Sequence, residues 1–201
     1  MGNGIPIDKY ELVLKRFIEG DNNILSVIYF DFIDVLLNFG LKYTADQGLV
    51  EDCIHNLFID LLKNRKKLGA VANIKFYLFK SLFYQIQKER LKTKDLPTDR
   101  MPSDSPFLIS YSVEKSIISD EINQSREKML ALLLTKLTPK QRELLYLKYN
   151  CGFSYIQISE ILQIDVSSAR KMVYRTLKSL RENFAGVVNL DLLFLIFKQP
   201  H

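Results

Sequence analysis

Apolar residues fall in adjacent pairs that recur every four positions: Ile24/Leu25, Ile28/Tyr29, Phe32/Ile33 and Leu36/Leu37, then Leu49/Val50, Cys53/Ile54, Leu57/Phe58 and Leu61/Leu62. A helix turning ~100° per residue gathers such pairs into one broad apolar stripe, whereas a strand would send neighbours to opposite faces. The pattern predicts two amphipathic helices of about four turns each and an all-α chain. Residues 73–94 predict a third long helix. Its apolar positions Ile74, Leu78, Leu82 and Ile86 are spaced by four, so its core-facing stripe is expected to be narrow and most of its surface basic or aromatic.

The composition then breaks. Pro97, Pro102 and Pro106, with Ser103, Asp104, Ser105 and Ser110, deny a continuous backbone ladder to helix or sheet. This predicts a flexible linker over residues 95–119 between two small helical domains, residues 1–94 and 120–201. Helical character resumes near Glu114 and runs to about Leu137.

Two start signals follow in quick succession. Thr138-Pro139-Lys140-Gln141 joins an N-cap hydroxyl, a proline at the first helical position and a Gln that can reach back to the cap. Ser154-Tyr155-Ile156-Gln157 repeats the box just after Gly152 ends the preceding helix. A third helix starts at Asp165, whose carboxylate is placed to cap the amides of residues 167 and 168. Only Gln163 and Ile164 separate it from the helix ending at about Leu162. Two short helices with so tight a turn describe a helix-turn-helix.

With Ala169 at zero on a helical wheel of ~100° per residue, Val173, Thr176, Leu177 and Leu180 share its side. The other side presents Ser167, Ser168, Arg170, Lys171, Tyr174, Arg175 and Lys178. Short hydroxyls near the start and cations further along suit a helix whose first residues reach base edges while later ones hold phosphates. Charge is segregated in the same sense. Residues 1–62 carry 4 basic and 10 acidic groups, residues 63–94 carry 10 basic groups and one acid, residues 95–138 carry 5 and 7, and residues 139–201 carry 9 and 5. Two positive segments separated by an acidic one suit a polyanion better than a mild overall excess does.

Residues 138–182 strongly resemble region 4 of the sigma-70 family, in particular its short extracytoplasmic-function (ECF) group. The likeness rests on Leu137-Thr138-Pro139 before Gln141-Arg142-Glu143, then Tyr155, Ile158 and Ile161-Leu162, then Ser168-Ala169-Arg170 and Tyr174-Arg175. Upstream, the run from Val50 through Glu51, Asp52, Cys53 and Ile54 to Leu61-Leu62 resembles region 2.2. Phe17-Ile18-Glu19-Gly20-Asp21 resembles the opening of region 2.1, and Ile74-Lys75 with Tyr77-Leu78-Phe79 the start of region 2.3.

The resemblance implies a sigma factor with two partners, core RNA polymerase and promoter DNA, and commonly an anti-sigma factor as a third. It implies polymerase binding through Asp52, His55, Asn56, Phe58 and Asp60. The −10 strand would be held by Lys75, Lys80, Phe83, Tyr84, Gln85 and Lys88, and the −35 duplex by the seven outward residues of the last helix. The chain departs from the family at four places: His55-Asn56 stands for Gln-Glu, Leu62 for Trp, Phe83-Tyr84 for Arg-Asn, and Met172 for a frequent Arg. Phe83 and Tyr84 invite a stacking role on exposed bases or ordinary core packing.

Chemistry is not expected. No Gly-rich phosphate loop, Cys-x-x-Cys pair, His-Glu-x-x-His or Gly-x-Ser-x-Gly occurs in the sequence. Cys53 and Cys151 are far apart and there are two histidines, so no catalytic residue, metal, cofactor or small-molecule substrate is expected. Cys53 lies on an apolar stripe and is expected in the core. The start, MGNGIPIDKY, lacks a charged stretch followed by an apolar run, and position six is Pro, so neither secretion nor myristoylation is expected. No uninterrupted apolar run approaches the ~18 residues of a membrane span; a cytoplasmic protein without membrane insertion is expected. The apolar residues of 187–197 predict a last helix or a surface for another protein. A stand-alone helix-turn-helix regulator, binding DNA as a dimer, is the competing expectation.

Overall fold

The structure, a computed structural model, describes residues 7–71, 73–93 and 135–183. Every regular element among these residues is helical. The chain divides into two compact units, Met1–Ser103 and Asp104–Pro200. The linker expected over 95–119, the helical start near Glu114 and the apolar tail 187–197 lie outside the described residues.

In the first unit, α1 (Ile7–Glu19), α2 (Asn23–Gly40), α3 (Gln47–Lys63) and α4 (Ile74–Thr93) are joined by short turns, with a 3-10 turn, Arg65–Ala70, before α4. Helices α2, α3 and α4 pack on one another, and α1 packs on α2 and on the 3-10 turn. The paired apolar positions supply the core, but unequally. Ile24, Ile28, Phe32 and Leu36 of α2 are buried, while their following partners Leu25, Ile33 and Leu37 are half-buried and Tyr29 is exposed. In α3 both members of the pairs Cys53/Ile54 and Leu57/Phe58 are buried.

Local signals set the ends. Asp46 caps α3, its carboxylate accepting from Leu49 N at 3.0 Å, and Asn73 caps α4, its side-chain oxygen accepting from Phe76 N at 2.9 Å. At Gly40 the helices α2, α3 and α4 approach closely: a Cβ there would run into Val50 Cγ1 and stand 3.2 Å from Ile86 Cδ1. Only hydrogen fits.

The α4 stripe is broader than its four-residue spacing suggests. Phe79, Phe83, Gln87 and Leu91 are buried beside Ile74, Leu78, Leu82 and Ile86. An aromatic run, Phe79–Phe39–Tyr43–Phe83, with ring centroids 4.8–5.1 Å apart, accounts for two of them. Helix α2 is long and apolar enough to cross a membrane by length and composition alone, although Asp31 and Asp34 interrupt its apolar run. One face of α2 nonetheless belongs to the unit's core, while Phe30 is 74% exposed.

The second unit holds α5 (Pro139–Leu145), a π-helical turn (Tyr146–Asn150), α6 (Tyr155–Leu162) and α7 (Val166–Asn183). Both expected capping boxes are formed. Thr138 Oγ1 accepts from Gln141 N and Gln141 Oε1 from Thr138 N; Ser154 Oγ and Gln157 do the same. Gly152 takes the left-handed conformation that ends the π turn, with φ +73°. Asp165 enters α7 through its backbone, its carbonyl accepting from Ala169 N at 2.9 Å. Its carboxylate makes no cap hydrogen bond among the described residues. Helices α5 and α6 both pack on α7, and Leu144, Leu145, Leu147, Phe153, Ile158, Ile161, Ala169, Val173 and Leu180 are buried in this unit.

Candidate nucleic-acid interface

The site is built from the turn between α6 and α7. Gln163 closes α6 in the left-handed region, with φ +50°, and Ile164 N donates back to Ser159 O at 3.2 Å. Two residues later α7 begins. Ala169 is fully buried, and without a bulkier side chain the helices approach closely. That contact fixes the rotation of α7. Val173, Thr176 and Leu180 follow Ala169 into the core, and Leu177 is half-buried. Thr176 meets the demand of its burial by donating to Met172 O at 2.8 Å.

The opposite side of α7 is open. Ser167, Arg170, Lys171, Tyr174, Arg175 and Lys178 are exposed, Tyr174 at 67%, and Ser168 is half-buried. On the wheel Ser167, Lys171, Tyr174 and Lys178 form the central row, flanked by Arg170 on one side and by Ser168 and Arg175 on the other. Lys178 meets Glu182 at 3.7 Å, an exposed pair worth little. No carboxylate stands among the first four turns of this face, so its field is positive.

Arg170 has a specific neighbour. Its guanidinium carbon lies 5.5 Å from the centroid of the Tyr155 ring, the first residue of α6. Lys148 Nζ, from the π turn, lies 4.6 Å from the same centroid and donates to Phe153 O at 3.3 Å. Sequence reading misses this grouping. The three residues are separated in the chain by 7 and 15 positions, and no periodicity links them. In α5, Glu143 is buried beside Lys140 at 3.2 Å. Burial, and then the Cys151 thiol beside it, push the Tyr146 phenol well above its ordinary pKa.

The first unit places its candidate residues on two surfaces. On α3, Asp52, His55, Asn56 and Asp60 are exposed on one face. Phe58 is not with them: it is 6% exposed and packs edge-on to Tyr29 at 5.0 Å. On α4, Lys80, Tyr84 and Lys88 are spaced by four and form one outward ridge, Lys88 exposed and the others half-buried. Lys80 Nζ lies 5.5 Å from the Phe76 ring centroid and Lys75 Nζ 5.8 Å from that of Phe79. Gln85 is half-buried on the flank. Phe83 is 5% exposed, its ring edge-on to Tyr43 at 5.1 Å, so core packing, not base stacking, is its role in this fold. Tyr84, in edge contact with Phe83 at 5.7 Å, is the aromatic of that pair left near the surface.

A cleft of about 540 Å³ lies between the α1–α2 turn and the 3-10 turn, lined by Asn22, Leu62, Asn64 and four cations, Lys63, Arg65, Lys66 and Lys67. Arg65 Nη1 donates to Asn22 Oδ1 at 3.1 Å. Cys53 and Cys151 are both buried and free. No group of three or more His, Cys, Asp or Glu side chains that could hold a metal is found among the described residues.

A tight two-helix turn, a buried small residue at the crossing and a one-sided row of hydroxyls and cations define a helix-turn-helix DNA-binding domain. Residues 127–180 match the family model described as sigma-70, region 4. The match lies within the second unit and spans well under half of the chain; it makes that segment similar to the DNA-binding region 4 of sigma-70 proteins. That family consists of DNA-binding transcription factors and not of enzymes. No curated protein matches the chain.

Proposed function

We propose that this chain is an ECF-type sigma factor that binds core RNA polymerase and directs it to promoters. The observation that carries the proposal is the outward face of α7, positive and outside the core, on a helix-turn-helix that matches sigma-70 region 4. In this reading residues 120–201 bind the −35 duplex, with Ser167, Ser168 and Arg170 at base edges and Lys171, Tyr174, Arg175 and Lys178 along the backbone. Residues 1–94 bind the polymerase and the −10 strand. Asp52, His55, Asn56 and Asp60 are the polymerase contacts, and Lys80, Tyr84 and Lys88, flanked by Lys75 and Gln85, face the strand. An anti-sigma factor covering these faces is the regulatory partner, and the protein works in the cytoplasm.

Run-off transcription with core polymerase on a library of genomic promoters tests the proposal. Specific initiation dependent on the added chain is expected. A companion Asp52→Lys, Asp60→Lys variant keeps its helices and loses polymerase binding, because like charges across an interface cost several kcal/mol. Sequence-specific DNA binding by the chain alone, with no association to polymerase, would make it an independent regulator instead.

A further inference from the structure

We propose that Tyr155 is a positioning residue for DNA reading: its ring holds Arg170 in the orientation from which the guanidinium meets a base edge. The inference rests on the sigma reading above and adds a residue that α7 itself does not contain. Arg170 is exposed and near the start of α7, where a long side chain would otherwise sample many rotamers. The Tyr155 ring lies beneath its guanidinium at 5.5 Å, within the range of cation–π attraction. Freezing those rotamers before DNA arrives lowers the cost of forming a bidentate contact.

The ring is itself held. Tyr155 is half-buried at the first position of α6, directly after the Ser154 cap. Lys148 Nζ, anchored on Phe153 O, lies over the same ring at 4.6 Å. The π turn that carries Lys148 and the scaffold helix that carries Tyr155 are thereby connected to one chosen residue of the recognition helix. Lys171 and Arg175 have no aromatic ring beneath them among the described residues. The arrangement thus separates one reader from its neighbours that serve as general cations.

The test uses the full chain with core polymerase on duplexes randomised across the −35 region, comparing wild type with Arg170→Ala, Tyr155→Phe, Tyr155→Leu and Tyr155→Met. Arg170→Ala identifies the base position that Arg170 reads. The Leu or Met variant, whichever retains the wild-type helix content, is expected to relax preference at that same position by about two- to fivefold. Other positions should be unchanged, and Phe should restore the preference. In the free protein, the Arg170 δ-methylene protons should show an upfield ring-current shift that Phe keeps and Leu and Met abolish. A preference or proton shift that the Leu and Met variants leave intact overturns the positioning role alone. So does an equal loss at every position, or a Phe variant as relaxed as Leu. A wild-type profile without sequence preference overturns the sigma reading, and the positioning role falls with it.

Discussion

Gly40 is the residue on which the first unit closes. A methyl group there meets the side chain of Val50, which is β-branched and stiff, and crowds Ile86. The helix propensity gained by Gly40→Ala, at most about 1 kcal/mol, is smaller than the cost of overpacking. Against an overpacking cost of about 1–3 kcal/mol, the net destabilisation of the unit should be up to about 2 kcal/mol, read as a lower urea midpoint with an unchanged slope. A midpoint that stays or rises would show that the helices have room to give. Cys53 sets a second, pH-dependent test. Burial first, then the nearby Glu89 and Asp52, push its thiol from 9.0 up to about 11. Below pH 9 both folded and unfolded thiols are neutral and stability is full. Between pH 9 and 11 only the unfolded chain ionises, so stability falls as pH rises. Raised phenols, Tyr10 in the same unit among them, act in the same direction. Cys53→Ala should therefore make the decline over pH 9–11 shallower, by at most ~1.4 kcal/mol per pH unit, without abolishing it. An identical slope would mean that the thiol ionises as freely in the fold as outside it.

At the scale of the helices, α7 divides its labour by position. Arg175 lies on the flank away from Arg170, near the middle of the helix, with no ring or ion-pair partner among the described residues. Arg175→Ala is expected to weaken binding to all duplexes about equally and to lower the salt slope by about one unit, measured by titration at several salt concentrations. A reshuffled base preference would place Arg175 among the readers. The face of α7 was legible because helical phase alone decides it: once Ala169 is inside, the positions of Ser167 and Lys178 follow. The starts at Thr138 and Ser154 were legible because each is written in four adjacent residues. The inward turn of Phe83 was not. A pair such as Phe83-Tyr84 straddles the edge of a stripe, and which member goes inside depends on Tyr43, forty positions away, reaching the same space. The π turn and the Lys148–Tyr155–Arg170 grouping escaped for a similar reason, since both arise from packing between elements and leave no local pattern.

Over the whole chain, the expectation of two domains joined by residues 95–119 carries its own test. Light proteolysis should cut first between residues 95 and 112 and release two helical fragments, identified by mass. First cleavage within α3, or a single cooperative loss of both halves, would refute the division. The basic groups of residues 63–94 and 139–201 lie on either side of that segment, so each fragment should keep part of the affinity for DNA and lose the gain that comes from tethering. The paired Ser/Thr–Gln boxes have a consequence for how such a chain changes over generations. Both boxes are polar and stand largely outside the core, yet they set where α5 and α6 begin. Leu144, Ile158 and Ile161 are thus free to exchange among similar apolar residues without moving the start of either helix, and the turn into α7 keeps its register. The outward row of α7 can then be rewritten residue by residue while the scaffold behind it drifts on a separate clock.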